Sequence, residues 1–165
     1  MFKHNKRNKL SKKSTFEEAI EHYLDGDLRD SALEFAAWAK TNGFAPRQWN
    51  NPDCWKIPQG EAHLCMIQFD PGQWRFTFFA GDYSGDYEEG FVKAVQNHVE
   101  TCRSCHDGCT KGIDMTVFGK EFANVCSQLS VQFENPDANT LAHIKQLLEY
   151  WKTAGHTSES WHYRH

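Results

Sequence analysis

Four of the six cysteines lie in one stretch, CRSCHDGC followed by TKGIDMTVFGKEFANVC, as Cys-x2-Cys-x3-Cys and a fourth after sixteen further residues. Four thiols drawn together at this spacing make a tetrahedral metal site, and zinc is the ion that such a donor set suits. Cys102, Cys105, Cys109 and Cys126 are the predicted ligands. Gly108 allows the left-handed backbone that a tight knuckle needs, and Cys109 closes the loop behind it. Four thiolates on one zinc leave a charge of about −2, which Arg103, Lys111 and Lys120 can offset. His98 and His106 stand close enough in sequence to replace a cysteine ligand. Other chemistries use the same residues. Cys102-Arg-Ser-Cys105-His106 matches the attachment pattern of c-type haem, which needs export. Four thiolates also suit an iron–sulfur cluster, and a Cys-x2-Cys pair can be a redox dithiol, although the βαβ context of thioredoxin-like proteins is missing.

The rest of the chain has the length and periodicity of one domain. At 165 residues it can bury a sizeable core. Its hydrophobic fraction is low, 39%, while its aromatic fraction is high, 14%, so that core must lean on Trp and Phe. Residues 1–13 carry six Lys or Arg and no acid; with a net charge of −4 overall, the remainder carries −10. An acidic body is a poor platform for sequence-independent nucleic-acid binding, which leaves the basic arm and the knuckle as the route to such a function. No apolar run approaches the ~20 residues that cross a bilayer, and no apolar segment follows the N-terminal charges as in a secretory signal. These features predict a cytoplasmic protein without a membrane partner. In that reducing compartment clustered cysteines point to metal or redox chemistry rather than disulfides.

Read in order, residues 1–14 show no periodicity and are expected to be a solvated basic tail. Thr15 can cap a helix with Glu17 and Glu18 in its first turn. That helix is predicted to end at Gly26, and a second to run from Leu28 to Asn42, stopped by Gly43. A meander follows a lead-in at Trp49 to Pro52: a short strand Cys54 to Ile57, a turn at Pro58-Gln59-Gly60, and a strand Glu61 to Phe69. The turn Asp70-Pro71-Gly72 then leads to a strand Gln73 to Ala80. Alternation places Trp74, Phe76 and Phe78 on one face and Arg75, Thr77 and Phe79 on the other; His63, Cys65, Ile67 and Phe69 share a face of the preceding strand. Asp86 is expected to cap a helix reaching Thr101, so that Cys102 sits at a helix end. Strands at Met115 to Phe118 and Val125 to Phe133 complete the cysteine module, and Asn135-Pro136-Asp137 starts a last helix that Gly155 ends. Residues 156–165 form a second expected tail. The fold class is thus α+β: a single domain over 15–155, an antiparallel sheet flanked by helices, with a four-cysteine metal-binding knuckle at 102–126.

From Cys102 to Trp151 the chain resembles the C-terminal half of small uncharacterised bacterial proteins. The likeness rests on the Cys-x2-Cys-x3-Cys run, on Phe118-Gly119-Lys120-Glu121-Phe122-Ala123-Asn124-Val125-Cys126 and on the Asn-Pro-Asp helix start. The meander LCMIQFDPGQWRFTFFAGD is similar to other bacterial domains of unknown function. The resemblance implies a metal knuckle on a small α+β domain and carries no activity with it.

No nucleophile motif, phosphate-binding loop or dinucleotide fingerprint is present. The acidic pairs Glu17/Glu18 and Glu88/Glu89 fall at helix starts, where capping explains them better than acid–base chemistry does. One sheet face mixes polar and aromatic groups as a ligand pocket does: His63, Cys65, Arg75 and Thr77, with Trp49 and Trp55 beside them. The chain therefore reads as a zinc-binding, non-enzymatic module for a small ligand or a protein partner. A nucleic-acid-associated protein and a thiol-based redox or metal-responsive protein are the two alternatives.

Overall fold

In the computed structural model, which describes residues 10, 14–60, 62–79, 83–103, 112–127 and 130–153, Thr15 opens the first helix as its sequence predicts. Its hydroxyl accepts from the Glu18 N–H at 3.1 Å, and the Glu18 carboxylate accepts from the Thr15 N–H at 2.7 Å. This reciprocal pair satisfies two of the amide donors that a helix start leaves open. Thr15→Ala is expected to cost about 1 kcal/mol, read as a fall of roughly 2–4 °C in the thermal midpoint. The helix is α1 (Phe16–Tyr23). Gly26 does not end it: α1 is already capped at Leu24, and Gly26, at φ +57°, turns the corner into α2 (Gly26–Thr41). Beyond the end of α2, Lys152 Nζ donates to the Asn42 carbonyl at 2.7 Å, a cation on the negative end of the helix dipole.

Five strands form one antiparallel sheet: β1 (Arg47–Gln48), β2 (Cys54–Gln59), β3 (Ala62–Asp70), β4 (Gln73–Phe78) and β7 (Val131–Glu134), side by side in that order. The turn between β3 and β4 is Pro71-Gly72, with Gly72 at φ +76° and its N–H bonded to the Tyr23 carbonyl at 2.8 Å. Pro58 and Gln59, expected in a turn, belong to β2. The register shifts between Ile57 and Pro58, and a bulge of this kind is where a sheet tolerates proline.

One face of this sheet is the core. Trp55 and Ile57 of β2, Cys65, Ile67 and Phe69 of β3, Trp74, Phe76 and Phe78 of β4, and Val131 and Phe133 of β7 are all buried. Three helices lie over it. Phe16 of α1 meets Trp55 at 5.2 Å between ring centroids, and Phe35 of α2 meets Phe76 at 4.9 Å. Trp151 of α4 (Ala138–Thr153) meets Phe78 at 5.5 Å. The predicted stripe of Trp74, Phe76 and Phe78 thus packs on the helices carrying Phe35 and Leu148. α4 starts at its Asn-Pro-Asp signal, where the Asp137 carboxylate accepts from the Thr140 N–H at 2.7 Å.

The segment between the sheet and the cysteines departs from expectation. α3 (Glu89–Asn97) is shorter than predicted and is capped at His98, and residues 99–102 continue as a strap. Val99 bridges Val131 at the edge of the main sheet, and Thr101 bridges Val125, both antiparallel. Val99 and Thr101 are β-branched and lose less in an extended segment than in a helix. The expected strand Val125 to Phe133 is split: β5 (Ile113–Val117) and β6 (Lys120–Val125) form a separate two-stranded hairpin, and β7 begins only at Val131. Phe118 and Gly119, both at positive φ, make the hairpin turn.

No helix among the described residues is long and apolar enough to cross a membrane. Most of the two expected tails, residues 1–9, 11–13 and 156–165, lies outside the described residues, as does Gly155. Leu10, inside the first of them, is partly buried against the core. The body therefore begins to hold the chain before Thr15.

Candidate functional site

Two regions gather the chemistry-bearing side chains. The first is the strap with its partner strand. Around the Thr101–Val125 bridge, the Cys102 N–H donates to Asn124 O at 2.7 Å and the Cys126 N–H donates to Glu100 O at 2.8 Å. Directly paired residues share a face and their neighbours take the other. Cys102 and Cys126, one residue beyond the bridge on each strand, therefore point to the same side. They are diagonal neighbours, a relation that spaces positions by about 7–8 Å. Both are buried, at 8% and 9% exposure, and no disulfide joins them. Thiolates each about 2.3 Å from a shared ion can span such a gap.

Gly112 closes this arrangement. A Cβ at this position would lie 2.8 Å from the Cys102 Cβ and would collide with the Asn124 side chain. Only glycine lets the chain return so close to the point it left at Arg103. Asn124, in the left-handed region at φ +55°, holds the crossing: its amide side chain donates to Cys102 O at 3.3 Å, and its backbone N–H donates to the Asp114 carboxylate at 3.2 Å. Cys105, Cys109 and His106 lie outside the described residues. Among the described residues no three metal-ligating side chains gather.

Two sequence expectations at this site are corrected. Cys102 is not at a helix end but five residues beyond α3, on the strap, and Cys126 follows β6 rather than starting a returning strand. His98 is turned to other work: its Nδ1 is 2.7 Å from Ala94 O and its ring lies 4.4 Å from that of Phe133. Three residues, Val99, Glu100 and Thr101, separate it from Cys102, a span of roughly 13 Å if extended.

The second region is the face of the main sheet turned away from the helices. Strand register arranges it in rows: Arg47, Lys56, Met66, Thr77 and Gln132 in one, Cys54, Gln68, Arg75 and Glu134 in the next. The face is not open throughout: Thr77 is 1% exposed, and Lys56, Met66, Gln132, Gln68 and Arg75 are half-buried. α3 meets the hairpin and α4, through Phe91 to Phe118 and to His143. Of the six residues predicted to line a ligand face, four reach it. Arg75 and Thr77 face outward from β4, and Arg75 holds Asp70 at 2.6 Å. Trp49 and His63 contact each other at 5.4 Å, and His63 meets Phe79, which follows β4, at 4.9 Å.

The other two do not. Trp55 is 3% exposed on the helix side of β2, and Cys65 is fully buried opposite Phe78. The cause is a bulge: Ile57 pairs with Cys65 but Pro58 pairs with His63, so Leu64 is the extra residue and the alternation of β3 reverses there. His63 is thereby separated in facing from Cys65. Met66, Gln68, Lys56 and Arg47 were missed as members of the outer face. One signal for two of them is local: a two-residue turn at Pro71-Gly72 forces Asp70 opposite Gln73, which puts Met66, not Cys65, opposite Thr77.

Electrostatics separates reactive from inert groups. Burial, with Asp53 adding to it, pushes the Cys54 thiol up to about 11, and burial alone pushes Cys65 higher still. Neither is a thiolate near neutral pH, so neither suits nucleophilic or redox work. Burial first, and then Lys56, hold His63 below the ordinary imidazole value. The unfolded chain therefore binds a proton at His63 more readily than the fold does, and stability contributed here is lost as pH falls through about 6.5. His63→Gln is expected to flatten the stability profile between about pH 7 and 5, measured by urea unfolding at each pH. An unchanged profile would remove His63 as its source.

A shallow cavity of about 400 Å³ lies between Asn42, Phe44, Glu149, Lys152 and Thr153, and none of the six predicted ligand residues lines it. Comparisons of the chain with protein-family models, with curated proteins and with solved structures find no match.

Proposed function

We propose that this chain is a cytoplasmic zinc-binding protein whose knuckle uses Cys102, Cys105, Cys109 and Cys126. In this reading it is a non-enzymatic module that binds a small ligand or protein on the outer sheet face beside Trp49, His63, Arg75 and Thr77. One observation carries the metal reading: two buried thiols stand on the same side of the Thr101–Val125 bridge, and Gly112 brings the chain back against Cys102. Cys105 is three residues from Cys102, and Cys109 three from Gly112. Chain length alone holds each within about 10–11 Å of an anchor at the thiol pair. Zinc would supply cross-linking here rather than catalysis, since four protein ligands leave no open position. The test is native mass spectrometry with metal analysis of protein made in the cytoplasm, expected to give one zinc per chain. Metal-free protein with all four clustered thiols open to alkylation would defeat the reading.

A further inference from the structure

The rim of the outer face at β1 and β2 carries charge that the fold does not use. Trp55 is buried on the helix side, so its neighbour Lys56 points outward, and β1 sets Arg47 directly opposite it. Cβ atoms paired in this way stand about 4.5–5.5 Å apart, and like charges there destabilise a sheet. Neither cation makes an ion pair among the described residues, on a chain whose net charge is −4. Arg47 is exposed and Lys56 half-buried. One anion bridging the two would relieve the repulsion.

An aromatic surface lies against this pair. Lys56 Nζ is 5.7 Å from the centre of the Trp49 ring, and the His63 ring is 5.4 Å from the same ring. Trp49 is half-buried, so part of its indole is open to a ligand. Burial, and then Lys56, hold His63 below the ordinary imidazole value, so the charge of this ammonium reaches both rings. The place is confined to the rim: further in, Thr77 is 1% exposed, and a ligand here does not extend across the sheet. A phosphate monoester carries a charge of about −1.5 to −2 at neutral pH, which matches two cations better than a single carboxylate does. Guanidinium and ammonium groups both suit its oxygens. We propose that the β1–β2 rim binds a small phosphate monoester of a planar ring, with the phosphate between Arg47 and Lys56 and the ring against Trp49. This rests on the reading of the outer face as a ligand surface and does not depend on the metal. Short edge strands also carry cations to keep other sheets from pairing with them, and the test separates the two uses.

The experiment measures binding of adenosine monophosphate to the full chain by calorimetry, with zinc determined in the same samples. Beside it run adenosine, which lacks the charge, inorganic phosphate, which lacks the ring, and benzoate, whose anion is a carboxylate. Adenosine monophosphate should bind most tightly. Trp49→Ala should weaken it by roughly 5- to 150-fold, the loss of one stacked ring, and Trp49→Phe should retain most of the affinity. Arg47→Ala and Lys56→Ala should each weaken it by about 2- to 5-fold, the worth of an exposed charge pair. Thermal midpoints of the two cation variants should hold or rise, since a repulsion is removed. Equal binding of inorganic phosphate or of adenosine, or tighter binding of benzoate, would overturn the proposal. So would cation variants that bind as the parent does but self-associate, the mark of a guarded edge. Affinity lost with Arg75→Ala but not with Arg47→Ala would overturn it too, and would leave a ligand elsewhere on the outer face. Binding that none of these variants disturbs would sink both readings. Zinc-loaded protein that binds no probe would sink this inference and leave the metal reading intact.

Discussion

Replacing Phe76 with alanine is expected to lower the unfolding free energy by about 3–5 kcal/mol, the range for a buried phenylalanine truncated in a core that cannot collapse around the gap. Phe76 sits where collapse is hardest. It is fully buried on β4, with Ile67 of β3 opposite on one side and Phe133 of β7 on the other. Phe35 lies 4.9 Å above it and Trp74 5.0 Å along the strand. The backbones of three paired strands hold those neighbours apart, so the void persists. Urea unfolding of Phe76→Ala against the parent measures the loss. Thr116→Ala, at an exposed position on β5, should stay within about 0.5 kcal/mol as the comparison. A cost below about 1.5 kcal/mol at Phe76 would mean that the sheet and α2 do not form the principal core.

Losing one thiol of the pair should have the other large effect, and it should be regional. Metal binding energy at a structural zinc is folding energy. If the proposed knuckle holds zinc, Cys126→Ser is expected to release it and to loosen what the pair joins, namely residues 99–102 and the β5–β6 hairpin. The main sheet has its own core and should hold. Hydrogen exchange reads this directly: amides such as Cys102 N–H and those of β6 should lose protection, while β3 and β4 keep theirs. Cys102→Ser should match it. Cys54→Ser is the control, because Cys54 lies on the outer sheet face and belongs to no metal-ligating cluster among the described residues. Zinc retained at one per chain in both cluster variants would show that the pair is not part of the site. Uniform loss of protection would show that the knuckle supports the whole domain.

Much of this architecture is legible in local sequence, because the physics involved is local. Thr15-x-x-Glu18 specifies a helix start by two hydrogen bonds within four residues. Pro71-Gly72 specifies a hairpin because only a left-handed residue fits its second position. Trp74, Phe76 and Phe78 mark a buried face by alternation, and Asn135-Pro136-Asp137 marks the start of α4. The cysteine spacing nominates four ligands by donor type and tether length; of these the described residues include Cys102 and Cys126.

Long-range pairing was not legible, and it decides the candidate sites. Val99 and Thr101 lie at the end of a helical pattern, and only Val131 and Val125, paired with them across the fold, draw them into an extended strap. That strap, not a helix end, turns Cys102 and Cys126 to one side. The bulge at Leu64 arises where β2 must pass Pro58, and it reverses His63 relative to Cys65. Neither residue carries a mark of this in its own neighbourhood. Arg47 faces Lys56 only because β1, too short to be seen as a strand, pairs there. Sequence by itself determined which residue types are available, where the chain turns and which stripe is apolar. Register between distant strands decided which of those residues share a face, because a shift of one residue in a pleated strand moves every side chain to the opposite side.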